Sequence, residues 1–251
     1  SGQFGAPGAS AIGETDLKGD LRFTELICDL IGSIRQVKTL ESQQAGLAQF
    51  FSPAVIEAVR TAGSEDILEP REKDITVLFC DVRGFSKKSE AAKDNLRELL
   101  DQVSEALGVM TAGIIRYDGV IADFQGDAAL GFWGWPSDNE EGPVAACRAA
   151  IHIYRAFRDA MNKPDSPLCG FSVGIGISHG RAIAGRIGTT EQIKVGVFGP
   201  VVNMGARLET MSKQLRASIV IDEVTASYIK KLPGDDLRCR KLARVRPVGM
   251  S

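Results

Sequence analysis

The sequence predicts an α+β domain: a ferredoxin-like βαββαβ sheet with helices on one face, preceded by an N-terminal helical segment. Three observations lead there. The apolar run 75–80 (ITVLFC) has the unbroken character of a strand covered on both faces. Two long stretches of helical spacing, 89–117 and 139–161, enclose a pair of strand-like segments. More strand patterns follow the second helix, so the types run β-α-β-β-α-β with extra elements at the end.

Composition sets the frame. A chain of 251 residues holds one large domain, or one domain with an attached segment, and its 44% apolar content is enough for a core. The net charge of −2, with mixed signs, makes no electrostatic case for a nucleic acid or an anionic membrane as partner. No apolar run reaches the roughly 18–20 residues that cross a bilayer, and no secretion signal opens the chain. Cys28, Cys80, Cys147, Cys169 and Cys239 include no CxxC pair, so neither a zinc site nor a disulfide framework is expected. A reduced, cytoplasmic setting is the expectation.

Residues 1–15 are small and without periodicity, as in a flexible linker or vector remnant. From 16 to 40, Phe23, Ile27, Leu30, Ile34 and Val37 alternate spacings of four and three. Either this is a helix packed on its own domain, since Leu26 and Ile31 widen the stripe, or a short parallel coiled coil that joins two copies and relays a signal. Ser52-Pro53 opens a helix in 50–63 and Gly63 closes it. The charged, proline-containing stretch 64–73 then suggests a division into a helical signalling segment, 16–69, and a domain, 70–251.

Within that domain, Leu96, Leu99, Leu100, Val103, Leu107 and Met110 are in register on the first long helix. Strands are expected at 120–124 and 128–133, with Gln125-Gly126-Asp127 at their turn, and again at 171–180, 181–187 and 194–198. A helix at 200–215, a short strand at 218–221 and a helix at 223–231 complete the order.

Two acids stand out. Asp81 emerges at the end of the buried run and Asp127 sits in the turn between the next two strands. In a ferredoxin-like sheet the first strand is central, expected beside the second and third, so strand end and turn can meet. Carboxylates that close repel unless a cation lies between them, and an oxygen-only set without histidine favours Mg²⁺ or Mn²⁺. After Asp81, Val82-Arg83-Gly84-Phe85-Ser86 leads into a helix, where Gly84 permits close approach and backbone N–H groups bind phosphate. Asn203 and Arg207, spaced i, i+4, share a helix face suited to a ribose and a phosphoryl group.

Other features are set aside. Gly174, Gly176 and Gly180 fall within a strand and lack dinucleotide-loop spacing, and no phosphate-binding GxxxxGK[ST] loop occurs. His152 and His179 have no partner in sequence, and Arg238, Arg240, Arg244 and Arg246 read as a solvated edge from which one side chain could reach a phosphate.

Taken together and in order, FCDVRGFS, GVIADFQGDAALGFWG, VGIGISHGRAIAGRIG and VFGPVVNMGARLE resemble the class III adenylate and guanylate cyclase catalytic domain, over roughly 75–221. The lead-in FFSPAVIEAV is similar to segments that precede bacterial members. The resemblance implies two Mg²⁺ or Mn²⁺ ions per active site between Asp81 and Asp127, with Val82 in the same metal site. It implies that Asn203 positions the ribose and Arg207 stabilises the transition state. Gly84, Phe85 and Ser86 would contact phosphate, and Arg246 would stand for a late basic residue that does the same. The implied reaction is attack of the ribose 3′-hydroxyl on the α-phosphorus of a nucleoside triphosphate, releasing pyrophosphate. Active sites would lie at a homodimer interface, and an upstream sensor domain is expected in the full-length protein.

The base pocket departs from the family pattern. Adenylate cyclases usually carry a lysine four residues before the second metal aspartate; here that residue is Asp123, and its partner position is Gly196. The guanine-type Glu–Cys pair is missing too. An ionised carboxylate only accepts hydrogen bonds, which leans to guanine, while the commonness of bacterial adenylate cyclases leans to ATP. ATP is the expected substrate, with GTP as the alternative. A nucleotide-binding regulatory module without activity is the alternative of another class: Asp123 and Gly196 favour it, and the intact Asp81, Asp127, Asn203 and Arg207 oppose it. A diguanylate cyclase would need a GG(D/E)EF-type turn, which QGDAA does not supply.

Overall fold

In a computed structural model of the chain, residues 31–32, 35–36, 38, 51–63, 65–91, 95–233 and 237–242 are described. The chain divides into two compact units, Ser1–Phe50 and Phe51–Ser251. In the first, residues 31, 32, 35, 36 and 38 are helical and exposed. All five residues of the Phe23–Val37 stripe lie outside the described residues, as do the linker 1–15 and Arg246.

The second unit opens with helix α1, Pro53–Ala62, which has proline in its first turn and stops at Gly63, whose φ of 63° suits glycine. Although composition put it before a boundary at 69/70, α1 packs within this unit. Val55 is buried in a cluster with Val77 and Phe132, and the Ser52 hydroxyl accepts the Ile121 amide at 2.7 Å. Strand β1, Arg71–Arg83, extends beyond the apolar run because its polar start continues to pair, Asp74 opposite Arg181. The helical stretch expected at 89–117 holds two helices, α2 (Phe85–Ala91) and α3 (Leu96–Arg116), the latter capped by Asn95, which accepts the Glu98 amide. Then come β2 (Val120–Gln125), β3 (Ala128–Trp133) and α4 (Gly142–Met161). The segments read as separate strands at 171–180 and 181–187 form one, β4 (Ser172–Gly188), paired with β1 along thirteen positions from Arg83↔Ser172 to Arg71↔Ala184. The chain continues through β5 (Ile193–Phe198), α5 (Pro200–Gln214), β6 (Ile219–Ile221) and α6 (Glu223–Lys230), which Asp222 caps at the Thr225 amide.

The sheet order is β2-β3-β1-β4-β5, with β6 added in parallel on β4. Strand β1 is central, as expected, but its neighbours are β3 and β4. Strand β2 lies outside β3, because only one strand of an antiparallel hairpin can border β1. Alternation along β1 separates two cores. Leu78, Cys80 and Val82 face Met110 and Ile114 of α3 and Ile153 and Phe157 of α4, so the two long helices share a face. Ile75 and Val77 face the other way, toward Val55 of α1 and Val201 of α5. The elements after the βαββαβ unit therefore add a helix to the second face.

Close approach of α5 depends on two glycines. A Cβ on Gly176 would stand 2.2 Å from the Glu209 nitrogen, and one on Gly205 would stand 2.8 Å from a Val77 methyl. The glycines of VGIGISHG serve packing, not a nucleotide loop.

Candidate active site

Asp81 lies in the half-buried row Phe79–Asp81–Arg83 of β1, on the α5 face, directly opposite Ala128. Asp127 immediately precedes Ala128 in the β2–β3 turn, where Gly126 takes a φ of 65°. Register therefore brings together two acids distant in sequence, close enough that each carboxyl acts on the titration of the other. Burial, and then the neighbouring Asp81 charge, push Asp127 up to about 6, and burial also raises Asp81.

That pair fits a hard divalent cation: two neighbouring carboxyls, both raised by burial, whose charged forms a cation would favour. The Val82 side chain is buried in the core, so only its backbone faces this site, where it favours the ionised Asp81 carboxyl. Among the described residues no group of three or more His, Cys, Asp or Glu side chains is arranged to hold a metal. A third acid is nevertheless close. Glu209 of α5 acts electrostatically on Asp127, and burial raises its own carboxyl. Arg83 holds it in place, with an ion pair at 3.0 Å, a hydrogen bond to the Glu209 carbonyl at 3.0 Å and another to the Ser212 hydroxyl. Gly174 leaves the space for that guanidinium. Sequence reading missed both Arg83 and Glu209; the clue was their position, each two residues beyond a site residue.

Gly84, with a φ of 77°, turns the chain from β1 into α2, whose first residues are Phe85 and Ser86. Asn203 and Arg207 lie together on α5, Asn203 exposed and Arg207 half-buried, with the Arg207 Nη1 lacking a hydrogen-bond partner. At about 100° per residue they stand roughly 120–160° round the helix from Glu209. The face packed on the sheet carries Val201, Gly205, Leu208 and Ser212. Among the described residues, neither Asn203 nor Arg207 is hydrogen-bonded or ion-paired to Asp81 or Asp127.

Asp123 is not a free acceptor. Its Oδ1 takes the Phe124 amide at 3.0 Å and its Oδ2 lies 2.5 Å from Lys194 Nζ. A bulge between Ile121 and Asp123 sets Asp123 opposite Leu130, on the face that carries Asp81. Gly196 sits on β5 two residues past Lys194, a residue that sequence reading passed over. The histidines serve packing: His179 contacts Thr76 Oγ1 at 2.9 Å and the Tyr228 ring at 5.1 Å, and His152 meets Tyr117 edge-on at 6.2 Å. No described helix is long and apolar enough to cross a membrane.

Fold, paired acids and the Asn–Arg helix define a class, and comparison with known proteins agrees. Residues 67–247 match the adenylate and guanylate cyclase catalytic domain, and the chain belongs to that family. It is 31% identical to an adenylate cyclase of Anabaena cylindrica over 193 residues, 74% of this chain and 36% of that protein. It is 26% identical to adenylate cyclase 1 of Rhizobium meliloti over 180 residues, 70% of this chain and 25% of the relative. The chain thus spans about a quarter to a third of these relatives. Among solved structures, the adenylyl cyclase CyaB from P. aeruginosa is similar with a TM-score of 0.62 at 29% identity, covering 73% of this chain and 92% of that one. The guanylyl cyclase Cya2 is similar to the same degree, with a TM-score of 0.62 at 27% identity, covering 72% and 88%.

Proposed function

We propose that this chain is the catalytic region of an adenylate cyclase, converting ATP to 3′,5′-cyclic AMP and pyrophosphate at sites shared by two copies, in cytoplasmic signalling. One observation carries the reading. Asp81 and Asp127 form one half of a phosphoryl-transfer site, and Asn203 and Arg207, the other half, stand well round α5 from the Glu209 that faces those acids. A second copy supplies the missing half to each, and a twofold dimer then has two equivalent sites.

Each residue has a distinct task. Asp81 and Asp127, with the Val82 backbone, would hold two Mg²⁺ or Mn²⁺ ions; when bound, these lower the pKa of the ribose 3′-hydroxyl and neutralise the triphosphate. Asn203 orients the ribose. Arg207 sets its charge against the phosphoryl oxygens as negative charge builds there. The turn at Gly84, Phe85 and Ser86 offers backbone amides to phosphate, and Arg246 adds a late positive charge. The 3′-oxygen bonds to the α-phosphorus, the bond to the β-phosphate bridging oxygen breaks, and the hydroxyl proton passes to water. An upstream sensor would control how the two halves meet.

The test is incubation of the protein with ATP, GTP, CTP and UTP, with Mg²⁺ or Mn²⁺, and identification of products by mass spectrometry. Cyclic AMP from ATP is the expected result. Cyclic GMP as the sole product would make GTP the substrate, the reading that the similarity to a guanylyl cyclase favours. No cyclic product from any of the four, with dimers present, would leave a regulatory module.

A further inference from the structure

Strands β2 and β5 stand at opposite ends of the sheet order, yet Asp123 and Lys194 join them at 2.5 Å. The side chains are 39% and 62% exposed, and an ion pair so open to water adds little to folding. Stability therefore gives no reason for this contact. Nor does packing require glycine at 196. A Cβ there would come no closer than 3.7 Å to Ile187, an ordinary contact. Residues two apart on a strand share a face, so Gly196, itself buried, puts no side chain on the face that carries the Lys194 ammonium. The exposed ring of Phe198 continues the same face.

We propose that Lys194 and Asp123 together read the base, Lys194 donating to N1 of adenine and Asp123 accepting from its 6-amino group. This rests on the cyclase reading and names how that site selects its purine. An ammonium only donates and a carboxylate only accepts; adenine presents one acceptor beside one donor, so each finds its complement. Lys194 has three N–H bonds, one for Asp123 and others for the base. Guanine also offers an acceptor beside a donor, O6 and N1–H, but its 2-amino group adds a third group, and N1–H and N2–H together would call on both carboxylate oxygens. Oδ1 already takes the Phe124 amide and Oδ2 the Lys194 ammonium, so a single further donor is the better match. The donor that position 123 lacks is supplied from the neighbouring edge strand.

The experiment compares wild type and Lys194→Ala with ATP, GTP and 1-deaza-ATP, in which N1 is replaced by CH. Loss of one charge-assisted hydrogen bond should lower kcat/KM for ATP by about 10–100-fold and bring the ATP-to-GTP ratio toward one. Wild type should use 1-deaza-ATP about as poorly as Lys194→Ala uses ATP, and the substitution should then cost little more. An unchanged ATP-to-GTP ratio, or an equal loss with ATP and 1-deaza-ATP, overturns the pair. If wild type forms no cyclic product at all, the cyclase reading fails on its own. Equilibrium binding of the same three nucleotides, measured by calorimetry with Ca²⁺, then decides the pair by the same criteria, and binding of none overturns it. Thermal unfolding of the variant should match wild type.

Discussion

Arg83 of β1 and Glu209 of α5 stand 3.0 Å apart, tying the strand that carries Asp81 to the helix that carries Asn203 and Arg207. Their side chains are only 21% and 13% exposed, so removing one partner leaves a half-desolvated charge. Arg83→Met should cost about 2–3 kcal/mol, below the range for a fully buried pair. In chemical denaturation, the double variant Arg83→Met/Glu209→Gln should lose clearly less than the sum of the single variants. Additive losses would mean that the two charges do not interact.

The metal-free fold should prefer acid. Folding raises Asp127 from 3.8 to about 6, so the folded state binds this proton more tightly than the unfolded chain. The contribution is fully present below about pH 4 and is lost as pH rises through about 6, on the order of 1 kcal/mol for a half-exposed group. Mn²⁺ should reverse the trend, raising Tm more at pH 7.5 than at pH 5, because it competes with the proton. Asp127→Asn should raise the metal-free Tm at pH 7.5 and abolish the Mn²⁺ effect. Differential scanning fluorimetry across pH, with and without Mn²⁺, reads both; an Mn²⁺ shift that persists in Asp127→Asn would remove this carboxylate from the metal site.

Mixed dimers test the shared site. Asp81→Ala and Arg207→Ala should each be nearly inactive. A 1:1 mixture should regain about a quarter of the wild-type rate, since half the dimers are mixed and each has one intact site. Native mass spectrometry would verify the mixed species. Inactivity despite mixed dimers would count against the shared site.

Two glycines on neighbouring strands should behave oppositely. Gly176→Ala pushes a methyl into the α5 backbone and should cost at least about 2 kcal/mol, near the upper end for overpacking. Gly196→Ala meets only an ordinary contact, so its Tm should stay within a degree or so of wild type. Denaturant and thermal melts of the two variants provide the comparison.

Local chemistry made much of this legible beforehand. Alternation and helical periodicity are short-range properties, so the strand at 128–133, the helix after Gly199 and the Ser52–Gly63 helix stood in the sequence almost to the residue. Periodicity misjudged extents, since side-chain pattern does not mark where backbone pairing starts or stops: the stretch read as one helix holds α2 and α3, and the strands read at 171–180 and 181–187 are one, β4. Asp81, Asp127, Asn203 and Arg207 were visible as residue types in motifs.

By itself, the sequence determined the element order, the buried central strand and the set of chemical groups, because each follows from side-chain pattern over a few neighbours. Only the tertiary structure decided which groups meet. The pairing of β1 with β3 put Asp81 beside Asp127, helix rotation turned Asn203 and Arg207 away from them, and the approach of two sheet edges brought Lys194 to Asp123. Those contacts depend on strand order and register, which no local pattern encodes.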